Sequence, residues 1–222
     1  TNTRAWVLNR PVAGGSTTFA QSIVEVSPGG GSEAPEPQPE VQSFLLITQG
    51  ALRVTIDGEA HTLTEGGYAY IPAGTPWAVA NTADGAAVFQ WIRKRYEPLA
   101  GHTPRVAVGN ERDIEPSPMP GTDNKWRTTR ILDPQDLAYD MHCNIVTFEP
   151  GASIPFAETH VMEHGLFVLE GKAVYRLNGD WVEVQEGDYM SLRAFCPQAC
   201  YAGGPSNFRY LLYKDVNRQI VL

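Results

Sequence analysis

Short apolar runs separated by turn residues recur along the whole chain. Val, Ile, Leu, Tyr and Phe concentrate at 42–48, 51–56, 68–71, 88–93, 144–148, 165–170, 173–177 and 210–213. Each run has the length of one strand, and no long segment carries a 3.6-residue period. Asp57-Gly58 and Asn178-Gly179 sit between such runs and predict two-residue hairpin turns. Even spacing of short strands points to a sandwich or barrel, so the expected class is all-β. Two stretches break the pattern. Residues 27–40 are rich in Gly, Pro and Glu, and residues 112–127 are rich in Pro and Asp. The second of these reads as an interdomain linker.

The pattern repeats. At an offset of 121 residues Gly50, Gly58, Glu65, Gly66, Tyr68, Ala73 and Pro76 fall on Gly171, Gly179, Glu186, Gly187, Tyr189, Ala194 and Pro197, with no gap. Apolar positions follow: Leu45 on Leu166, Ile47 on Val168, Ile56 on Leu177 and Leu63 on Val184. Glycine recurs at matched turns because only glycine takes positive φ freely. The chain therefore reads as two copies of one β-domain. The first spans 1–111, a linker spans 112–128, and the second spans 129–222.

Composition narrows the function classes. With 42% hydrophobic and 19% charged residues, the chain can fill a core. Its net charge is −8 and no basic run stands out, which argues against a nucleic-acid partner. No apolar stretch approaches the ~18 residues of a membrane span. The chain opens at Thr1 without a charged-then-apolar leader, and an upstream segment stays open. Cys143, Cys196 and Cys200 are odd in number and form no CxxC, so a reducing, cytoplasmic compartment is expected. Cys196 and Cys200 read as packing residues.

The second copy carries the chemistry. Residues 151–171 read G-A-S-I-P-F-A-E-T-H-V-M-E-H-G-L-F-V-L-E-G, placing Glu158, His160 and His164 in E-x-H-x3-H with Gly171 beyond. Residues 187–198 read G-D-Y-M-S-L-R-A-F-C-P-Q. These segments resemble the two motifs of the cupin superfamily, G-x5-H-x-H-x3,4-E-x6-G and G-x5-P-x-G-x2-H. The spacing is kept and the donor types are permuted. Glu158 stands at the first His, His164 at the Glu, and Gln198 at the second-motif His. Arg193 and Phe195 replace the usual Pro and Gly, so a turn of different shape is expected before Gln198. The permuted set is similar to that of the (S)-ureidoglycine aminohydrolases, bicupins of purine (allantoin) catabolism. H-V-M-E-H-G-L-F-V-L-E-G-K and F-R-Y-L-L-Y-K-D-V-N-R match that family nearly word for word. The resemblance covers the whole chain. It implies two tandem double-stranded β-helix (jelly-roll) barrels and hydrolytic release of ammonia from (S)-2-ureidoglycine.

Taken on their own chemistry, two imidazoles, a carboxylate and an amide oxygen suit a divalent metal of intermediate hardness. Strand alternation predicts Glu158 and His160 on one face, with Gln198 reaching across from the second motif. A neutral amide in place of a third imidazole favours Mn²⁺, one per chain, with other divalent metals open. The first copy offers Pro37, Pro39, Ser43 and Trp77 at the matching positions, so it should hold no metal, and Trp77 should plug the space.

Alternation also groups Ala173, Tyr175 and Leu177, and likewise Tyr210, Leu212 and Lys214. The resemblance implies that Tyr175, Tyr210 and Lys214 line the substrate pocket together with Glu158 and Gln198. Glu158 and Lys214 are the candidates for proton transfer. Arg193 is a further candidate cation. The expected partners are a small ureido substrate and further copies of the chain in a homo-oligomer. Two His and a carboxylate also suit a non-haem iron dioxygenase, and a non-catalytic small-molecule binder is a third reading.

Overall fold

The structure, a computed structural model, describes residues 1–13, 15 and 17–216. The chain divides into two compact units, Thr1–Asp113 and Ile114–Leu222. The first holds β1 (Thr3–Asn9), β2 (Phe19–Val26), β3 (Gly31–Ser32), β4 (Val41–Gln49), β5 (Ala51–Ile56), β6 (Glu59–Thr64), β7 (Gly67–Ile71), β8 (Trp77–Ala80), β9 (Ala87–Arg95) and β10 (Ala107–Asn110). A six-stranded sheet runs β1-β2-β9-β4-β7-β10 and a four-stranded sheet runs β3-β8-β5-β6. The second unit holds β11 (Ser117–Pro118), β12 (Trp126–Arg130), β13 (Met141–Phe148), β14 (His164–Glu170), β15 (Lys172–Leu177), β16 (Asp180–Gln185), β17 (Tyr189–Leu192), β18 (Gln198–Tyr201) and β19 (Phe208–Asp215). Its sheets run β11-β12-β13-β19-β14-β17 and β16-β15-β18. Within each unit the chain passes repeatedly from one sheet to the other, as from β14 to β15 and from β17 to β18, which is the jelly-roll path. The helix among the described residues is one 3₁₀ turn, Glu111–Asp113, and none is long and apolar enough to cross a membrane.

The repeat is visible strand by strand: β5, β6 and β8 recur as β15, β16 and β18 at the same 121-residue offset. Asp57 and Gly58 both take positive φ, 49° and 83°, and close the register at Ile56↔Glu59. Asn178, at φ 58°, closes Leu177↔Asp180. Gly171, at φ 75°, shows why a glycine recurs here. A Cβ there would lie 2.1 Å from the Asn207 carbonyl oxygen, just as one at Gly50 would lie 2.5 Å from that of Ala86.

The stretch expected as a linker contains structure. Ser117–Pro118 pairs with β12, and Trp126 is buried in the second core. Proline is tolerated there because β11 is an edge strand that needs no ladder donor at that residue. The second core is built on Phe148, Val168, Tyr175 and Phe208, none more than marginally exposed. Ala173 and Tyr175 face inward as alternation predicted, with Leu177 packed at the rim. Residues 217–222, including the end of the matched segment at Arg218, lie outside the described residues.

Candidate active site

His164 opens β14 and Gln198 opens β18. Glu158 and His160 do not share a strand, contrary to the alternation argument. They lie in an irregular segment ahead of β14. A reciprocal backbone bridge aims Glu158: its N–H donates to Gln198 O, and Gln198 N–H donates to Glu158 O, both at 2.8 Å. His160 is tied through its carbonyl, which accepts from Phe195 N–H at 2.7 Å. Phe195 takes φ 62°, where the first copy has Gly74 at φ 78°. The turn expected to change shape therefore keeps its left-handed residue, at a cost of about 1–2 kcal/mol for a side chain with a Cβ.

The four side chains meet around one amide. Gln198 Nε2 lies 3.4 Å from Glu158 Oε2 and 3.4 Å from His160 Nε2, while Gln198 Oε1 lies 3.1 Å from His164 Nε2. Among the described residues, no three His, Cys, Asp or Glu side chains are gathered closely enough to hold a metal by themselves. The amide stands between the other three donors. Both imidazoles turn Nδ1 toward the Met162 carbonyl, at 3.0 Å for His160 and 3.4 Å for His164. A carbonyl can only accept, so this contact places the hydrogens on Nδ1 and leaves the Nε2 lone pairs facing the amide.

That arrangement tests the donor set. Tyr175 O–H donates to Gln198 Oε1 at 2.8 Å and holds the oxygen toward His164. Burial holds the His164 imidazole neutral, with its pKa pushed down to about 4. With hydrogen on Nδ1, His164 Nε2 and Gln198 Oε1 oppose lone pair to lone pair. With hydrogen on Nε2, Nδ1 opposes the Met162 carbonyl instead. Either tautomer leaves one acceptor facing another, and a cation between the donors removes the conflict. The residues present fit a divalent metal.

A cavity of about 130 Å³ opens beside the four donors. Lys214 reaches it from β19, where it pairs across the sheet with His164 on one side and His142 on the other. Burial lowers the Lys214 pKa from its ordinary value, against the attraction of Glu158, which raises it. Tyr210 also lines the cavity. Tyr175 does not reach the lining. It is fully buried behind Gln198, with the Tyr210 ring edge-on to it at 6.4 Å. Arg193 is exposed and stands outside the lining. Cys200 is in the core, its thiol pushed up to about 12 by burial, and Cys196 packs against that core. All three cysteines are free. Sequence reasoning missed Trp126, Arg130 and Asn144, which also line the cavity. The available signal was Asn144 itself, a polar residue inside an apolar strand.

A cupin-domain family profile matches residues 22–93 and again 144–213. Across 99% of its length the chain is 34% identical to the (S)-ureidoglycine aminohydrolase of Escherichia coli, covering 83% of that protein. The chain belongs to the (S)-ureidoglycine aminohydrolase family of bicupins. The Arabidopsis thaliana protein of that name is 32% identical over 98% of this chain, which covers 70% of it. Among solved structures, a Pseudomonas aeruginosa protein described as glyoxylate-induced is 57% identical, with a TM-score of 0.94 over all of this chain and 83% of that one.

The first copy of this aminohydrolase-family chain keeps the barrel and fills the place of the donors. Trp77, at the position of Gln198, is buried and meets Trp91 edge-on at 5.8 Å. The Trp91 indole N–H donates to Ser43 Oγ at 3.1 Å, Ser43 being the counterpart of His164. At the position of Lys214, Arg93 pairs with Glu36 at 2.7 Å and lies over the Trp91 ring at 4.7 Å. An ion pair and two indoles thus occupy what is a donor cluster in the second copy.

The buried imidazoles make stability depend on pH. Burial first, then the charge of Lys214, pushes the His142 pKa down to about 4, and burial does the same to His164. In the unfolded chain both titrate near ~6.5. Below that value the unfolded state binds more protons, so stability falls as pH drops toward 4. For the well-buried His164 the loss is about 3 kcal/mol. Metal-depleted protein should show a melting temperature that falls across this window, and His142→Gln should flatten the slope.

Proposed function

We propose that this chain is a metal-dependent hydrolase that converts (S)-2-ureidoglycine and water to (S)-ureidoglycolate and ammonia. The observation that carries the reading is the convergence of Glu158, His160, His164 and Gln198 beside the largely buried Lys214, with two acceptors opposed across 3.1 Å. Whole-length similarity to aminohydrolases supports the substrate. Those four side chains would hold a divalent ion, Mn²⁺ in this reading and one per chain, which would supply positive charge beside the reacting carbon. The free cysteines agree with a cytoplasmic enzyme, and the working form is a homo-oligomer.

At the reacting carbon a C–O bond to water forms and the C–N bond to the amine breaks. Glu158 takes the proton that water gives up. Lys214 gives one to the departing amine, which leaves as ammonia. Glu158 and Lys214 feel each other's charge, so the proton returns between neighbours. Tyr175 fixes the orientation of Gln198, and the Tyr210 ring packs edge-on against Tyr175. Holding the reactants on one face accounts for a single stereoisomer and removes much of the entropic barrier.

Elemental analysis of purified protein, together with ammonia release from freshly made ureidoglycine, tests this reading. The expected result is one equivalent of divalent metal per chain and ammonia release that metal depletion abolishes. Two tightly bound ions per chain, or a metal-loaded protein that releases no ammonia, would overturn it. Gln198→His gives a further check. Imidazole binds transition metals better than a neutral amide, so metal affinity should hold or rise. Turnover should fall about 10–100-fold, because the Tyr175 hydroxyl loses its acceptor and the site its orientation. An unchanged kcat/KM would show that the amide is only a tolerated ligand.

A further inference from the structure

Two buried polar atoms of residues that line this cavity have no hydrogen-bond partner: Asn144 Oδ1 and Trp126 Nε1. Both residues line the cavity, and both are more than nine-tenths buried, Asn144 at 3% exposure and Trp126 at 8%. Leaving such an atom unpaired costs roughly 1–3 kcal/mol, so in a native protein a water, an ion or a ligand completes it. Neither atom belongs to the donor cluster. Asn144 lies on β13, paired with Arg130 of β12 on one side and Leu212 of β19 on the other. It is therefore two residues along the sheet from the Lys214 rung.

We propose that Asn144 is the specificity residue for the ureido end of the substrate, its amide oxygen accepting an N–H of that group. The assignment rests on the function proposed above and follows from how the cavity divides the substrate's three polar ends. A carboxylate presents only acceptors and matches the cations Lys214 and Arg130. Set against Asn144 Oδ1, it would oppose lone pairs. The amine, a lone-pair donor, matches the positive charge that Glu158 and the two imidazoles would hold in that reading. The ureido group is neutral and planar and carries several N–H donors, which is what an unpaired amide oxygen selects. Trp126 N–H supplies the second open atom on the same side, a donor suited to an oxygen. A pocket built to pair a substrate N–H discriminates against an analogue lacking it, because its own acceptor is then left bare.

Two unreactive probes separate this inference from the activity. N-carbamoylglycine keeps the carboxylate and the ureido N–H groups. Levulinate has the same chain length, carbonyl and carboxylate, with carbon in place of both nitrogens. Calorimetric titration of metal-loaded protein should show N-carbamoylglycine binding about 10-fold or more tightly than levulinate. Asn144→Leu, and independently Asn144→Ala, should reduce that ratio to near one by weakening N-carbamoylglycine alone, with metal content and melting temperature recorded for each variant. A ratio unchanged in both folded variants, or a wild type that does not prefer the ureido probe, would overturn the assignment. Ammonia release by the wild type is read separately. Release with an unchanged ratio sinks the Asn144 assignment and leaves the activity standing. A ratio that collapses in a protein releasing no ammonia sinks the proposed reaction and keeps Asn144 as a ureido-binding residue.

Discussion

Replacing His164 with alanine should abolish metal retention and turnover together while leaving the second unit folded. His164 is 2% exposed and offers one ring nitrogen to the Met162 carbonyl and the other to the donor cluster. Its backbone is held independently, in register with Lys214 of β19 and Leu192 of β17, so the ladder survives loss of the ring. The apolar core lies on Phe148, Val168 and Phe208 and is not disturbed. Loss of a partner that only supports a ligand costs roughly 10–100-fold, the range expected for Tyr175→Phe. Loss of a donor should exceed it, with activity at the detection limit, and His160→Ala should behave alike. The checks are elemental analysis, ammonia release and circular dichroism on the same preparations. Full activity in metal-depleted His164→Ala would remove these residues from the chemistry.

The contrast between the two copies shows what a pattern can and cannot carry. Hairpin positions were legible because their causes are local. Asp57, Gly58 and Asn178 occupy positive φ, and Gly50 and Gly171 admit a carbonyl where no Cβ fits. Those constraints act on single residues and repeat at one offset. The neighbourhood of His164 and Gln198 was legible for a related reason, since each opens a strand whose counterpart is present in the first copy. Glu158 and His160 both lie beside Gln198, but not on the shared strand that alternation gave them. What aims Glu158 is a backbone bridge to Gln198, 40 residues away, a long-range pairing that no local period encodes. Phe195 misled in another way. A missing glycine suggested a new turn, yet the left-handed conformation stays, held by the bond from Phe195 N–H to His160 O.

Trp126, Arg130 and Asn144 were missed because they precede both motifs. Trp126 sits in a stretch whose Pro and Asp content reads as linker, and its burial depends on stacking with Phe148 at 5.2 Å. Asn144 looks like an interruption of an apolar run until β12 and β19 are set on either side of it. Tyr175 was rightly turned inward, but alternation fixes only the face. That its hydroxyl ends on Gln198 rather than on the cavity depends on β15 pairing with β18, which sets Tyr175 opposite Cys200 and Leu177 opposite Gln198.

Lys214 should prove to be a proton donor as well as a charge, and two substitutions separate those roles. Lys214→Met removes both and should lower kcat about 10²–10⁴-fold, the usual range for a lost general acid or base. Lys214→Arg keeps the positive charge but cannot release its proton near neutral pH. It should bring KM back toward the wild-type value and leave kcat low. The pH profile gives an independent reading. Burial beside His164 and His142 lowers the Lys214 pKa from its ordinary value, with Glu158 opposing the shift. A donor works in its protonated form, so wild-type activity should decline as pH rises through that lowered value, well before an ordinary lysine would titrate. The alkaline decline should be absent from the residual activity of Lys214→Arg, because a guanidinium stays charged throughout. Metal content should stay at one equivalent in both variants, since neither change touches Glu158, His160, His164 or Gln198. If Lys214→Arg restores kcat and keeps the alkaline limb, the lysine only holds the substrate's carboxylate, and proton delivery must come from Glu158.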